Sequence, residues 1–205
     1  MFPLACHNIE YQLLIAMKQT LYIIAGCNGA GKTTASMTVL PEILDCREFV
    51  NADEIAKGLS PFDPEKVAVE AGKIMLQRID YLLSHKETFA IETTLATRSY
   101  KALVERAQSL GYEVVLLFFW LPSPSYAEQR VATRVASGGH NIPQEVIHRR
   151  YWRGIQNLFN IFVPIVDRWA LYDNTDGLTP IVERDKVVDS VKLNKIKEQC
   201  QSRKR

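Results

Sequence analysis

The sequence predicts an α/β fold in which helices flank a mainly parallel β-sheet. Short apolar segments rich in β-branched and aromatic residues alternate along the chain with longer segments of helical period. This alternation is typical of sheets in which a helix connects each strand to the next parallel one. The longest apolar segment, Tyr112–Leu121, carries a single charged residue. A strand covered on both faces has this composition, so we expect the segment at the centre of the sheet.

The other elements follow from the same patterns. Strands are predicted where short apolar and β-branched runs end at a turn or a helix start. These runs are Leu21–Ala25, Arg47–Asn51, Thr88–Thr93 and Trp169–Tyr172. Helices are predicted where apolar residues recur every three to four positions and a proline or glycine often marks an end. They are Thr33–Leu40, Pro64–His85, Arg98–Leu110, Pro124–Ala136 and Pro143 to about Phe159.

The composition is that of an ordinary globular chain. Its 205 residues and 23.3 kDa are typical of one well-packed domain. Hydrophobic residues at 47% and charged residues at 23% exclude a disordered, collagen-like or disulfide-framework protein. The four cysteines are too scattered for a Cys-x-x-Cys metal site and fit a reducing cytoplasm. No apolar run approaches the roughly 18 residues of a membrane span, so we expect a cytoplasmic protein without a membrane partner.

The chain divides into three predicted parts. Residues 1–17 form an N-terminal extension, and the folded domain spans 18–185 with a helical lid at about 134–150. Residues 186–205 form a basic C-terminal helix or tail, since Lys192 to Arg205 include six basic residues and one acidic residue. The net charge of the whole chain is only +2. The basicity is therefore terminal rather than spread over the domain, which speaks against a nucleic-acid partner.

The segment from Gly26 to Thr33, GCNGAGKT, matches the phosphate-binding pattern G-x-x-x-x-G-K-[ST] between a predicted strand and a predicted helix. Backbone N–H groups of such a loop surround polyphosphate without side-chain bulk. Lys32 would reach the β and γ phosphates of ATP, and the Thr33 hydroxyl is a ligand for Mg²⁺. The sequence thus predicts a three-layer P-loop NTPase fold, with ATP and Mg²⁺ as cofactors. The predicted ATP-binding residues are Gly26, Asn28, Gly29, Ala30, Gly31, Lys32, Thr33 and Thr34.

Two missing features narrow the class of P-loop protein. The central strand ends in Trp120-Leu121-Pro122, without an acid at its tip of the kind that motor ATPases and helicases use. The sequence also lacks an Asn-Lys-x-Asp guanine-reading motif, which disfavours Ras-like and translation-factor GTPases. Phosphoryl transfer to an acceptor is the reaction that remains favoured.

Polar residues follow two predicted strands, at the sheet edge where α/β proteins bind ligands. Asn51 and Asp53 follow the second strand, and the Asp53 carboxylate can accept a proton from an attacking hydroxyl. The second interpretation is that Asp53 caps the helix that follows, and the two roles are compatible. Glu92, Thr93 and Thr94 end the third strand and either bind a sugar-like acceptor or serve only as turn residues. All five are predicted substrate-binding residues.

Arginines flank the predicted lid on two helices. Arg130 and Arg134 are four positions apart on one helix face, and Arg149, Arg150 and Arg153 follow on the next helix. Arginines on a closing segment can stabilise charge in the transition state and exclude water. The alternative is a set of surface salt bridges.

Two further features each have two interpretations. Asp173-Asn174-Thr175 follows the last predicted strand and lies either beside the adenine or in a plain turn. Cys27 lies inside the phosphate loop. If its sulfur faces the phosphates, Lys32 and the loop N–H groups favour a reactive thiolate, whereas a sulfur turned into the core is inert.

The motifs, taken in order, resemble the zeta toxin family of P-loop kinases. They are the phosphate loop, Asn51-Ala52-Asp53, Glu92-Thr93-Thr94, and a lid that contains Gly-Gly-His-x-Ile-Pro and is followed by Arg149-Arg150-Tyr151. The resemblance spans about Lys18 to Val182. It implies ATP-dependent phosphorylation of a small-molecule hydroxyl, and the best-known members modify a sugar hydroxyl of UDP-N-acetylglucosamine.

The resemblance also implies roles for particular residues. In that scheme Asp53 activates the acceptor hydroxyl, Lys32 holds phosphate, and the lid residues Arg134 and Arg150 grip the γ-phosphate. An antitoxin protein is the macromolecular partner that it implies. Two other functions remain open: a polynucleotide or nucleoside kinase, and a nucleotide-gated binding module without acceptor turnover.

Overall fold

The computed structural model of the chain describes residues 19–139 and 141–202, so the predicted extension 1–17 lies outside the described residues. The strands are β1 Thr20–Gly26, β2 Glu48–Val50, β3 Phe89–Thr93, β4 Glu113–Trp120, β5 Arg168–Asp173, β6 Thr179–Glu183 and β7 Lys186–Val187. The α-helices are α1 Lys32–Thr38, α2 Ala52–Leu59, α3 Ala68–Ser84, α4 Tyr100–Ser109, α5 Pro124–Ala136, α6 Gln144–Asn157 and α7 Ser190–Ser202.

The strands of the described residues form one sheet in the order β2-β3-β1-β4-β5-β6-β7. The first five in this order pair in parallel, and β6 and β7 continue the sheet as an antiparallel hairpin. In register, Ile23 of β1 lies between Ile91 of β3 and Leu116 of β4. The prediction that Tyr112–Leu121 forms a central strand is confirmed, because β4 has three strands on either side.

Burial of successive residues explains why the sheet sits inside the domain. Seven consecutive residues of β4, from Val114 to Trp120, are buried. Successive side chains of a strand point to opposite faces, so both faces of the sheet must be covered. On α3 the residues that pack inward are Ala71, Met75 and Ile79, at helical spacing. The predicted α/β class, with helices flanking a mainly parallel sheet, is confirmed.

Several elements differ in detail from the prediction. The first helix changes at Val39–Ile43 into a π-helical turn that contains Pro41, since proline has no N–H to donate within an α-helix. Pro64–Val67 forms a separate 3₁₀ turn before α3 rather than its first turn. The β6–β7 hairpin was not predicted. Its strands are only five and two residues long, too short for a clear alternating pattern.

The C-terminal helix belongs to the same core as the sheet. The predicted boundary between 185 and 186 falls inside the β6–β7 hairpin, which is part of the sheet. Beyond it, α7 buries Leu193, Ile196 and Cys200 against the rest of the domain. In the part of the chain that the structure describes, no helix is both long and apolar enough to span a bilayer.

Candidate active site

The phosphate loop connects the end of β1 to the start of α1. Gly29 and Gly31 both have φ of 77°, in the left-handed region that glycine adopts without strain. A Cβ on Gly31 would lie 2.6 Å from Asn174 Nδ2, and one on Gly29 would lie 2.8 Å from the carbonyl oxygen of Ala127. These two glycines are therefore required both by backbone conformation and by close packing against neighbouring elements.

Lys32, the lysine of the motif, is held by two groups of the protein itself. Its side chain is almost completely buried. The ammonium donates to the carbonyl oxygen of Cys27 at 3.1 Å and lies 3.5 Å from Glu92 Oε1. A buried cation needs such partners. They keep Lys32 at the centre of the loop.

Glu92, at the end of β3, is the point where three elements meet. Its Oε2 accepts hydrogen bonds from the Thr33 hydroxyl at 2.8 Å and from Asn51 Nδ2 at 2.9 Å. The Lys32 ammonium is close to its other oxygen. The structure thus places Glu92, a predicted acceptor-binding residue, directly against the phosphate loop, and it places Asn51, another, against Glu92.

The position of Glu92 corrects the argument from a missing acid. β4 ends in Trp120-Leu121-Pro122 and has no acid at its tip. β3 is equally a neighbour of β1, on its other side, and its terminal acid bonds the Thr33 hydroxyl. Chain order does not reveal which later strand lies beside β1, so the sequence could not indicate this contact. The absence at β4 therefore says little about the class of P-loop protein.

Asn51 and Asp53 have different local roles. Asn51 is the N-cap of α2, because its side-chain oxygen accepts from the N–H of Asp53 at 2.9 Å and of Glu54 at 3.4 Å. The Asp53 side chain is exposed in the first turn of α2. The alternative in which Asp53 caps this helix is wrong, since Asn51 already does so.

Tyr100, at the start of α4, adds a group that the sequence analysis missed. Burial raises the pKa of its hydroxyl, the nearby Asp53 charge raises it further, and a hydrogen bond with the Thr93 side chain opposes both effects. Tyr100 therefore stays protonated at neutral pH between Thr93 and Asp53. An aromatic residue in the first turn of a helix carries no sequence signal that its hydroxyl lies near Asp53.

Thr94 is half-buried, with its carbonyl oxygen packed against Gly154 of α6.

The predicted lid arginines occupy different positions. Arg150 on α6 donates to Asn28 Oδ1 at 3.4 Å and so lies at the phosphate loop. Arg134 is exposed near the end of α5, where Gly139 packs on its side chain and donates to its carbonyl oxygen. Residue 140, inside the predicted lid, lies outside the described residues. Thr34 is exposed in the first turn of α1.

Asp173-Asn174-Thr175, the turn after β5, contacts the phosphate loop from the side opposite Glu92. Asn174 Nδ2 donates to the carbonyl oxygen of Ala30 at 2.8 Å. The carbonyl oxygen of Thr175 accepts from the Tyr126 hydroxyl at 3.0 Å and from the guanidinium of Arg130, both on α5. The turn is therefore more than a surface connection, because it joins β5, the phosphate loop and α5.

Cys27 belongs to the phosphate loop, but its thiol is not exposed. Its side chain is buried in the core beside Phe118, Tyr151 and Ile155. Burial raises the pKa of the thiol to about 12, although the nearby Lys32 charge acts in the opposite direction. The interpretation as a reactive thiolate is wrong, and the alternative of an inert core thiol is confirmed.

The sheet order and the phosphate loop after β1 define a P-loop domain of kinase-like fold. Residues 21–151 match the family described as AAA domain, and the chain belongs to that family. A protein of Haemophilus influenzae described as uncharacterized is 25% identical over 138 residues, which cover 67% of this chain and 96% of that protein.

Solved structures share this fold at low sequence identity. The structure of AvrRxo1-ORF1:-ORF2 with ATP has a TM-score of 0.71 at 16% identity and covers 87% of this chain, which spans 63% of that one. A structure of the PezAT chromosomal toxin-antitoxin system of Streptococcus pneumoniae has a TM-score of 0.60 at 15% identity, covering 99% and 96%. A putative kinase from Chloroflexus aurantiacus has a TM-score of 0.57 at 14% identity, covering 91% and 98%.

Proposed function

We propose that this protein is a kinase that transfers phosphate from ATP to a hydroxyl group of a small molecule. The observation that carries the proposal is the presence of two carboxylates after neighbouring strands, one at the end of β3 and one in the first turn of the helix that follows β2. Glu92 is bonded to the phosphate loop through Thr33, whereas Asp53 is exposed at the same edge of the sheet. A phosphoryl donor and a hydroxyl acceptor need these two kinds of carboxylate, one fixed and one accessible.

The residues present fit ATP with Mg²⁺. The phosphate loop, residues 26–33, supplies backbone N–H groups and the Lys32 ammonium for the β and γ phosphates. The Thr33 hydroxyl and the Glu92 carboxylate, 2.8 Å apart, are oxygen donors of the type that Mg²⁺ prefers. When bound, Mg²⁺ neutralises phosphate charge. Arg150, already at Asn28, and Arg134 would add positive charge when the lid closes.

The acceptor is proposed to lie at the ends of β2 and β3. Asp53 would take the proton of the attacking hydroxyl, and Thr93, Thr94 and Tyr100 offer hydroxyl groups that suit a sugar. A nucleotide sugar of the UDP-N-acetylglucosamine type is the acceptor class that we propose, on the basis of the resemblance to the zeta toxins. An antitoxin protein is the proposed macromolecular partner. The toxin-antitoxin system among the structures of similar fold supports it.

The test is phosphoryl transfer to a panel of acceptors. Purified full-length protein is incubated with Mg·ATP and one acceptor at a time. The acceptors are nucleotide sugars, free sugars, nucleosides and 5′-hydroxyl oligonucleotides. Mass spectrometry then identifies any product that has gained one phosphate, and the Asp53→Asn variant is the matched control. We expect a phosphorylated nucleotide sugar from the unchanged protein only.

The other outcomes separate the remaining functions. A phosphorylated nucleoside or oligonucleotide would keep the kinase and replace the acceptor class. Binding of Mg·ATP with no phosphorylated product from the panel or from a whole metabolite extract would overturn the kinase proposal in favour of a nucleotide-gated binding module.

A further inference from the structure

The C-terminal helix is tied to the edge of the sheet that carries the active site. On α7, the Lys192 ammonium donates to Asp173 Oδ2 at 2.8 Å. Asp173 ends β5, and only 11% of its side chain is exposed. The apolar side of α7, through Leu193 and Ile196, is fixed in the core. Lys192 is therefore presented to Asp173 by a packed element.

Asp173 also bonds the turn that follows it. Its Oδ1 accepts from the N–H of Thr175 at 2.9 Å and from the Thr175 hydroxyl. Burial acts to raise the pKa of Asp173, but the hydrogen bonds from Lys192 and Thr175 outweigh it and lower the pKa. The carboxylate is thus ionised at neutral pH and fixes the conformation of residues 173–175.

The turn at residues 173–175 is bonded to the phosphate loop. The backbone N–H of Asn174 donates to the carbonyl oxygen of Trp120 at 3.0 Å, which orients its side chain. The Asn174 side chain donates to the carbonyl oxygen of Ala30 at 2.8 Å, next to Gly31 of the phosphate loop. A continuous series of contacts therefore runs from Lys192 through Asp173 and Asn174 to the loop that would hold the phosphates.

We propose that Lys192 is a positioning residue for the nucleotide, acting through Asp173 and Asn174 on the phosphate loop. The proposal rests on the nucleotide binding put forward above and adds the dependence of that binding on α7. Without Lys192, the buried Asp173 carboxylate loses its cationic partner and turns towards water or becomes protonated. The turn then loosens, and Asn174 no longer holds Ala30 in the conformation that phosphate requires.

The experiment compares nucleotide affinity in matched lysine variants of the full-length protein. Isothermal titration with Mg²⁺ and a non-hydrolysable ATP analogue measures the Kd of the unchanged protein and of Lys192→Met, Lys192→Arg and Lys195→Met. Lys195 is exposed on the same helix, so its replacement removes the same charge without the contact. We expect Kd to rise roughly tenfold in Lys192→Met, the loss typical of a hydrogen bond to a charged group. Lys192→Arg should retain most of the affinity, and Lys195→Met all of it.

Turnover separates positioning from general damage to the fold. At saturating ATP, Lys192→Met should keep the kcat of the unchanged protein while its KM for ATP rises. If Lys192→Met fails to fold, Asn174→Ala decides the matter, because it removes the bond to Ala30 and leaves the Lys192–Asp173 pair intact. We expect the same rise in Kd from it.

Three results would overturn the proposal. Unchanged affinity in Lys192→Met, or in Asn174→Ala where that variant has to be used, removes the positioning role and leaves the kinase proposal standing. Equal losses in Lys192→Met and Lys195→Met would show an effect of net charge instead. Failure of the unchanged protein to bind the analogue overturns the proposed function and this inference together.

Discussion

The two sides of the phosphate loop use their polar side chains differently. On the β3 side, Glu92 bonds other side chains, those of Thr33 and Asn51. On the β5 side, Asn174 bonds the backbone of Ala30. Side chains that bond one another can be given new partners by a ligand, whereas a side chain that bonds the backbone fixes the path of the chain. The comparison supports the proposals that the β3 side carries the chemistry and that the β5 side positions the loop.

The largest effect is expected for Lys32→Ala, which removes the ammonium group beside Glu92 on the β3 side. Turnover should fall by roughly 10³-fold or more, since a preorganised charge at the transferred phosphate is lost. Thermal unfolding without nucleotide should shift to lower temperature, because the buried Glu92 carboxylate loses its cation, but the protein should still fold, because Thr33 and Asn51 remain as hydrogen-bond donors to Glu92. ADP release and a thermal melt measure the two quantities. The control is Lys57→Ala, which replaces an exposed lysine. Full activity of Lys32→Ala would show that the phosphate loop takes no part in the mechanism.

Asp53→Asn tests the chemical side. We expect kcat to fall by roughly 10²-fold or more, as for a lost general base, and ATP affinity to stay within a few-fold. Stability should be preserved, because the cap of α2 is Asn51 and Asp53 is exposed. Steady-state kinetics and titration with ATP are to be measured on the same preparation. Glu54→Gln, the exposed neighbouring acid, should behave as the unchanged protein, and an undiminished rate in Asp53→Asn would contradict the assignment.

Arg150→Ala and Arg134→Ala test the predicted lid. Each should lower kcat by roughly tenfold or more and raise the Kd for nucleotide by less, if the closed lid meets charge that develops in the transition state. Single-turnover rates at saturating ATP measure this directly, with Arg47→Ala, at an exposed arginine outside the lid, as the control. A loss confined to kcat/KM for the acceptor, with single-turnover chemistry unchanged, would make these arginines acceptor-binding residues.

The smallest effect is expected for alkylation of Cys27, the residue of the phosphate loop whose thiol is buried in the core. A thiol with a pKa of about 12 in the core should resist alkylation at pH 8, with or without Mg·ATP. Peptide mapping after limited alkylation measures the labelling, and protein in denaturant provides the fully labelled reference. Rapid labelling of Cys27 that ATP suppresses would place its sulfur at the phosphates after all.

Local patterns of sequence predict most of the fold. The phosphate loop, the central position of β4 and the helices around them follow from motif spacing and hydrophobic period. The β6–β7 hairpin does not, because Thr179–Glu183 contains a proline and β7 has only two residues. Short strands of this kind are stabilised by their neighbours rather than by their own residue preferences.

Contacts across the site were harder to predict than the residues that make them. The sequence predicts Asn51, Glu92 and Thr33 as functional, but not that their side chains bond one another. Those contacts depend on β3 lying between β2 and β1, which chain order does not encode. The inward orientation of Cys27 and the pairing of Lys192 with Asp173 depend in the same way on tertiary packing.

The β6–β7 hairpin limits the pairing of sheet edges between separate molecules of this protein. In the part of the chain that the structure describes, the sheet ends at β2, with three residues, and at β7, with two. A long, flat edge strand presents a row of unpaired N–H and C=O groups to which another chain can add. These short edges present few such groups, and Pro180 in β6 removes one donor. The parallel strands that bear the active site are thereby protected from edge-to-edge aggregation.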